Sequence, residues 1–302
     1  MLRNLFFCTF SIEKVFLTSK NAYLRRGNRK TYNMKTKIKS MLLVAVSLFF
    51  ISDRLPVSAQ SDNDGYELIF SDEFNLPNGS QPDSTKWNRH ERYAGVWSRW
   101  ISSSSDVVYI KNGALVCRGI PNRHESADTA CMLTGAINTR GKFSFTYGKI
   151  EVRMKTNVLR GNFPAAWLQG LQVKKPEWYK EIDIVESFGT RRAYHTAYAH
   201  LTVKKHRTDG PKYGFWEPVD VNKWHVYTME WTPSELRWLV DGRLVAEYRK
   251  SSDQELLVNG QWPYDYPMYI ILNQSILNEG YNPKKTYETR FDWVRVYQQR
   301  EE

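Results

Sequence analysis

Apolar and polar residues alternate along most of this chain in short runs, each interrupted by Gly, Asn, Asp or Pro. In Phe143-Ser144-Phe145-Thr146-Tyr147-Gly148-Lys149-Ile150-Glu151-Val152-Arg153-Met154-Lys155 almost every second side chain is apolar. A period of two puts one face of a strand in a core and the other in solvent. The same reading predicts strands over 107–110, 114–120, 143–155, 224–231, 236–240 and 269–273. Asp241-Gly242, between two apolar runs, predicts a two-residue hairpin. No long run carries the 3.6-residue period of a helix. Strand following strand predicts an all-β sandwich.

Residues 41–51 have a different character. This apolar run follows Lys35, Lys37 and Lys39 and precedes the small residues Val57-Ser58-Ala59. That is the layout of a signal peptide, and the run is too short to span a bilayer. We expect a signal peptide over 34–59, starting at Met34, with 1–33 an upstream-start extension and 60–302 a single domain. A genuine N-terminal extension is the alternative. No Cys follows Ala59, so export to the periplasm or the medium is expected rather than a lipid anchor.

The net charge of +11 suggests an anionic partner. However, residues 1–59 hold 11 of the 43 Lys and Arg and only 2 of the 32 Asp and Glu. The remainder carries 32 basic against 30 acidic residues, so nucleic acid is not an expected partner. Cys117 and Cys131 fall on consecutive predicted strands, and the sequence leaves open whether they pair or stay free.

The chemistry concentrates in Glu181-Ile182-Asp183-Ile184-Val185-Glu186. On a strand, Glu181 and Asp183 share a face while Ile182 and Ile184 turn to a core. Strict alternation would turn Glu186 away. One extra residue at Ile184-Val185, a β-bulge, returns it to the acidic face. Three acids on one face repel one another and raise a carboxyl pKa, as a general acid requires. The bland alternative is a surface strand with scattered acids. Aromatic content is high, with 11 Trp and 18 Tyr. Flat rings suit the C–H faces of sugars. Most should be core. Trp97, Phe163, Trp167 and Trp178 stand out because they fall in loops or beside the acidic strand.

The hexapeptide resembles the signature of glycoside hydrolase family 16, in the branch with the extra bulge residue. The likeness continues through Tyr66-Glu67-Leu68-Ile69-Phe70-Ser71-Asp72-Glu73-Phe74, the 141–153 block, Phe163-Pro164-Ala165-Ala166-Trp167, Trp231-Thr232-Pro233 and Phe291-Asp292-Trp293-Val294-Arg295-Val296-Tyr297. It implies a concanavalin-like jelly roll of two curved antiparallel sheets with a cleft on the concave face. It also implies a retaining mechanism, with Glu181 as nucleophile, Asp183 as its assistant and Glu186 as acid/base. Retention needs two carboxyls about 5–5.5 Å apart. The resemblance further implies that His195 and Gln274 reach the cleft. It implies that Asp292 could hold a structural Ca²⁺, while catalysis needs no cofactor. A monomer acting on an oligo- or polysaccharide is expected.

The substrate is less defined. The usual β-1,3-glucanase pattern is replaced at three places, by the 95–100 segment with Trp97 and Arg99, by Phe163, and by Ser275-Ile276-Leu277-Asn278. Asp106-Val107-Val108-Tyr109-Ile110 and Leu115-Val116-Cys117-Arg118 are more similar to endo-β-galactosidases of mucin O-glycans and poly-N-acetyllactosamine. An endo-β-1,3-glucanase is the alternative, and algal galactans are a further class. A non-catalytic lectin is remote, since such a module has no reason to keep three acids.

Overall fold

The computed structural model describes residues 65–123, 126–171 and 177–300, all within one compact unit. The segments assigned above to 1–33 and 34–59 lie outside the described residues. Fifteen strands occur among those described. The first five are β1 (Tyr66–Asp72), β2 (Asn88–Arg89), β3 (Val108–Ile110), β4 (Leu115–Pro121) and β5 (Met132–Asn138). Next come β6 (Gly148–Thr156), β7 (Asn162–Gly170), β8 (Lys180–Glu186), β9 (Ala193–Ala199) and β10 (Gly214–Glu217). The last are β11 (His225–Trp231), β12 (Glu235–Val240), β13 (Arg243–Arg249), β14 (Met268–Ile276) and β15 (Tyr287–Gln299). Two short helices, α1 (His200–Val203) and α2 (Gln254–Val258), lie between them. No helix among the described residues is long and apolar enough to cross a membrane.

The strands pair antiparallel in the order β10-β9-β8-β7-β14-β5-β4-β15-β6-β11-β12-β13, with β1 on β15, β2 on β5 and β3 on β4. The two halves of this path pack against each other. Leu168, Ile182, Ile270 and Leu272 from one half share a buried cluster with Ile150, Val152, Tyr227, Trp238 and Val294 from the other. Burying that face of each strand is the main stabilising contribution. The fold is the all-β sandwich expected from the alternating pattern, in the jelly-roll form that the family resemblance implied. On the opposite face of the β7–β14 half, Ala165, Trp167, Tyr269 and Ile271 form a separate small cluster with Trp97.

Individual strands follow the periodicity with local exceptions. β6 alternates buried and partly exposed residues along its full length. It starts at Gly148 rather than at Phe143, because Tyr147 and Gly148 adopt φ of 61° and 126° and turn the chain. Phe143 and Phe145 instead join an aromatic group, Phe143 stacking on Phe70 at 4.4 Å. The β12–β13 hairpin turns at Asp241 and Gly242, with φ of 49° and 79°. Positive φ at both positions matches the right-handed strand twist. β14 is buried along its whole length, between β7 and β5. Cys117 is buried on β4, Cys131 is exposed before β5, and both are free thiols.

Gly135 on β5 has room for no side chain. A Cβ there would stand 2.0 Å from the Val107 carbonyl oxygen, a backbone atom with little freedom to move. Gly135→Ala is therefore expected to cost about 1–3 kcal/mol of stability, to be measured by urea unfolding.

Candidate active site

The three acids lie on β8, and the sheet register explains how they reach one face. Towards β7, Trp167 pairs with Asp183 and Ala166 with Val185, which leaves Ile184 unmatched. Towards β9, Asp183 pairs with Thr196 and Glu186 with Tyr194, so Ile184 and Val185 together oppose His195. Ile182, Ile184 and Val185 all enter the sandwich core. The extra residue therefore stands where the sequence reading put it, and it returns Glu186 to the face of Glu181 and Asp183.

Directly opposed residues of antiparallel strands share a face, so the register defines three rows across the sheet. Glu181 lies between Gln169, followed by Tyr269, and Tyr198. Asp183 lies between Trp167, followed by Ile271 and Asn138, and Thr196. Glu186 lies between Ala165, followed by Asn273, and Tyr194. Beside the Glu181 row is a cavity of about 490 Å³ lined by Asn88, His90, Tyr93, Arg140, Gln169 and Tyr269. The Tyr269 hydroxyl donates to Gln169 Oε1, which fixes that wall.

Burial raises all three carboxyl pKa values, repulsion adds to it at Asp183 and Glu186, and their neighbours separate them. Burial pushes Glu181 up to about 7, while the Tyr179 hydroxyl, donating to its Oε2 at 2.7 Å, stabilises the anion. Glu186 is raised further, to about 8, by burial and by the charge of Glu181. The Thr196 hydroxyl reaches its Oε2 at 3.5 Å. Asp183 is raised well above the carboxylate range by burial and then by both neighbours. Its Oδ2 is buried without a hydrogen-bond partner, which disfavours the charged form further. The arrangement favours a charged Glu181 and a proton held by Glu186 and Asp183. Trp238 Nε1 donates to the Asp183 carbonyl at 2.9 Å and anchors the strand from the core side.

Two residues expected in the cleft face the other way. His195 is 1% exposed, and its ring lies 6.5 Å from those of Tyr227 and Trp238 inside the sandwich. Its Nδ1 is 2.6 Å from the Ile184 carbonyl. A carbonyl only accepts, so Nδ1 carries the proton and donates. The imidazole thus satisfies a bulge carbonyl. Burial holds its pKa down to about 4, so it stays neutral at physiological pH. Gln274 is fully buried. Its Nε2 donates to Asn162 Oδ1 at 2.5 Å and to the Ser275 carbonyl at 2.7 Å, and its Oε1 accepts from Thr289 at 2.6 Å. Its neighbour Asn273 faces the acids' side instead and accepts from Trp167 Nε1 at 2.8 Å.

The other expected residues have mixed placements. Trp167 stands next to Asp183 but is only 4% exposed, with Trp97 edge-on to it at 5.1 Å. Phe163 is partly exposed and stacks on Phe188 at 5.2 Å. Arg99 lies over the Trp100 ring at 3.9 Å and donates to the Ile276 carbonyl at 3.0 Å. Trp178 stacks on His200 at 6.0 Å, next to Tyr179 in the chain. Asp292 lies at a register shift between β15 and β6, and its carboxylate is paired with Arg153. A guanidinium already neutralises the one carboxylate proposed to hold calcium, so this environment does not fit the ion. Among the described residues no group of three or more His, Cys, Asp or Glu could hold a metal. The sequence reading missed Tyr179, Thr196 and Tyr194. Tyr179 stands two residues before Glu181, a same-face spacing that could have identified it.

The family model for glycosyl hydrolases family 16 matches residues 98–295. The keratan-sulfate endo-1,4-beta-galactosidase of Sphingobacterium multivorum is 33% identical over 248 residues, 77% of this chain and 55% of that protein. The chain thus spans about half the length of that relative. The beta-glucanase of Rhodothermus marinus is 29% identical over 249 residues, 77% of this chain and 85% of that protein. Among solved structures, the laminarinase from Rhodothermus marinus superposes with a TM-score of 0.68 at 27% identity, covering 78% of this chain and 98% of the other. A structure from work on endo-acting O-glycanases of the human gut microbiota superposes at 0.63 and 25% identity, covering 78% and 100%.

Two outcomes test the site. The raised carboxyls bind more protons in the folded than in the unfolded chain between pH 4.5 and about 8. Their contribution to stability is therefore full below 4.5 and lost as pH rises through the folded values. Glu186→Gln is neutral and should gain stability relative to wild type at pH 8, with the gain vanishing at pH 4.5, as read from urea midpoints. Separately, His195→Ala should cost about 3 kcal/mol and lower turnover by releasing the bulge. His195→Asn, whose amide nitrogen can replace Nδ1, should retain more of both, as measured by thermal unfolding and kcat.

Proposed function

From the premise that this chain belongs to the family 16 glycosyl hydrolases and is a glycoside hydrolase, we propose an endo-acting, retaining enzyme of galactose-containing glycans. The observation that carries the reaction is the bulged strand, which aims Glu181 and Glu186 from one face with unequal proton affinities. Glu186 gives its proton to the glycosidic oxygen as Glu181 attacks the anomeric carbon. The resulting ester removes the charge that had raised Glu186. Glu186, deprotonated by that transfer and no longer facing a charged Glu181, remains an anion and takes a proton from water as the water oxygen bonds to the anomeric carbon and displaces Glu181, with net retention. Asp183, between the two on the same face and raised by burial and by both neighbours, takes part in storing the proton.

The galactan side is supported by identity to the keratan-sulfate endo-galactosidase and by likeness to the O-glycanase structure. The replaced glucanase segments at 95–100, 163 and 275–278 point the same way. Galactose carries an axial 4-hydroxyl, and a site that hydrogen-bonds a hydroxyl discriminates far more strongly than an apolar wall. Arg140 and Gln169, in the cavity beside Glu181, supply polar groups of that kind. The second reading, an endo-β-1,3-glucanase, is favoured by the beta-glucanase and laminarinase relatives. The proposal extends to an exported protein cleaved after Ala59 and acting as a monomer.

Glu181→Gln and Glu186→Gln should fold normally and lose at least about a thousandfold in turnover. Azide should rescue Glu186→Ala on an activated aryl glycoside. Product analysis on keratan, mucin O-glycans, laminarin, lichenan and agarose should give galactose at the new reducing end, initially as the β-anomer. Rapid laminarin hydrolysis with no release from keratan or mucin glycans would establish the glucanase reading instead.

A further inference from the structure

The row through Glu186 does not stop at Tyr194. β10 continues it, since Trp216 pairs with Tyr194 across the β9–β10 ladder and shares its face. Trp216 is 43% exposed, unusual for so large an apolar side chain. Its ring is nevertheless held on several sides. Tyr194 lies at 4.6 Å and Phe188 stands edge-on at 5.6 Å. Phe188 is in turn stacked on Phe163. The guanidinium of exposed Arg192 rests over the Trp216 ring at 4.9 Å and brings donors to its rim. Gly214, facing Thr196 in the register, is part of the arrangement. A Cβ there would stand 2.0 Å from the Tyr194 hydroxyl, so the glycine leaves the space into which Tyr194 extends.

The two carboxylates thus have different surroundings. The nucleophile's row leads through Gln169 and Tyr269 into the walled cavity. The acid/base's row has the small Ala165 on that side and the Tyr194–Trp216 aromatics on the other. The sugar that becomes esterified belongs with Glu181, and the sugar that accepts the proton of Glu186 departs beside Glu186. We propose that Trp216, fixed by Phe188 and Tyr194, is a stacking platform for the leaving-group side of the glycan, and for an acceptor sugar that replaces water. This rests on the assignment of Glu186 as acid/base. In the acceptor reaction the sugar hydroxyl oxygen bonds to the anomeric carbon and the ester bond to Glu181 breaks. The hydroxyl proton passes to Glu186.

The test compares Trp216→Ala, Trp216→Phe and wild type, as full chains, on the glycan the enzyme cleaves and on an aryl β-glycoside of the same glycone. The aryl glycoside is also run with added oligosaccharide acceptor. Trp216→Ala should lose about tenfold in kcat/KM on the glycan, mainly through KM. It should stay within about twofold on the aryl glycoside and give less transfer product. Trp216→Phe should recover most of the loss. An unchanged KM and transfer yield in Trp216→Ala, or an equal loss on both substrates, would overturn the platform. Wild type inactive on the aryl glycoside, or a Glu186→Ala variant without azide rescue, would instead overturn the acid/base assignment and with it this proposal.

Discussion

One unmatched residue in β8 governs the rest of the site. With the register intact, Glu186 would follow Ile182 and Ile184 into the sandwich core, where an unpaired carboxylate is strongly disfavoured. The bulge instead puts Ile184 and Val185 side by side in the core and returns Glu186 to the face of Glu181 and Asp183. It leaves a carbonyl outside the regular ladder, and His195 supplies the donor from within the core. The histidine therefore maintains the geometry that makes three acids converge, without facing the substrate.

The convergence has an electrostatic consequence. Three carboxyls removed from water on one face cannot all remain charged, since burial and neighbouring charge favour the protonated form of Asp183 and Glu186. Tyr179 stabilises charge on Glu181, while the charge on Glu181 acts against ionisation of Glu186. Division of labour between two chemically identical residues follows from their neighbours. The same burial makes the folded chain favour protons near neutrality, so catalytic poise and maximal stability are in conflict at this strand.

The surroundings of the acids are asymmetric. Gln169 and Tyr269 wall one side, and the other ends in an exposed tryptophan on β10. Long-range register makes this asymmetry, because Trp216 lies 30 residues beyond Glu186 in the chain yet shares its row. Sequence reading treated the aromatics near the acidic strand as the relevant ones. Of these, Trp167 became part of the floor and Phe163 became a support for Phe188.

The alternation of side chains gave the all-β class, the positions of β3, β4, β6, β8, β11, β12 and β14, the Asp241-Gly242 hairpin and the place of the extra residue between Asp183 and Glu186. These are local properties: a strand's two faces are written in its own residues, and one inserted residue reverses them. Wherever the face had to be assigned without an apolar pattern, the sequence was insufficient. In β14 every residue is buried, so nothing local distinguishes Asn273, on the cleft side, from Gln274, in a polar network of the interior. In β9 the same ambiguity hid the inward turn of His195, and on β15 Asp292 gave no sign of its pairing with Arg153. Tertiary structure decided these because burial and pairing depend on which strands lie beside and beneath a residue, and those neighbours come from distant parts of the chain.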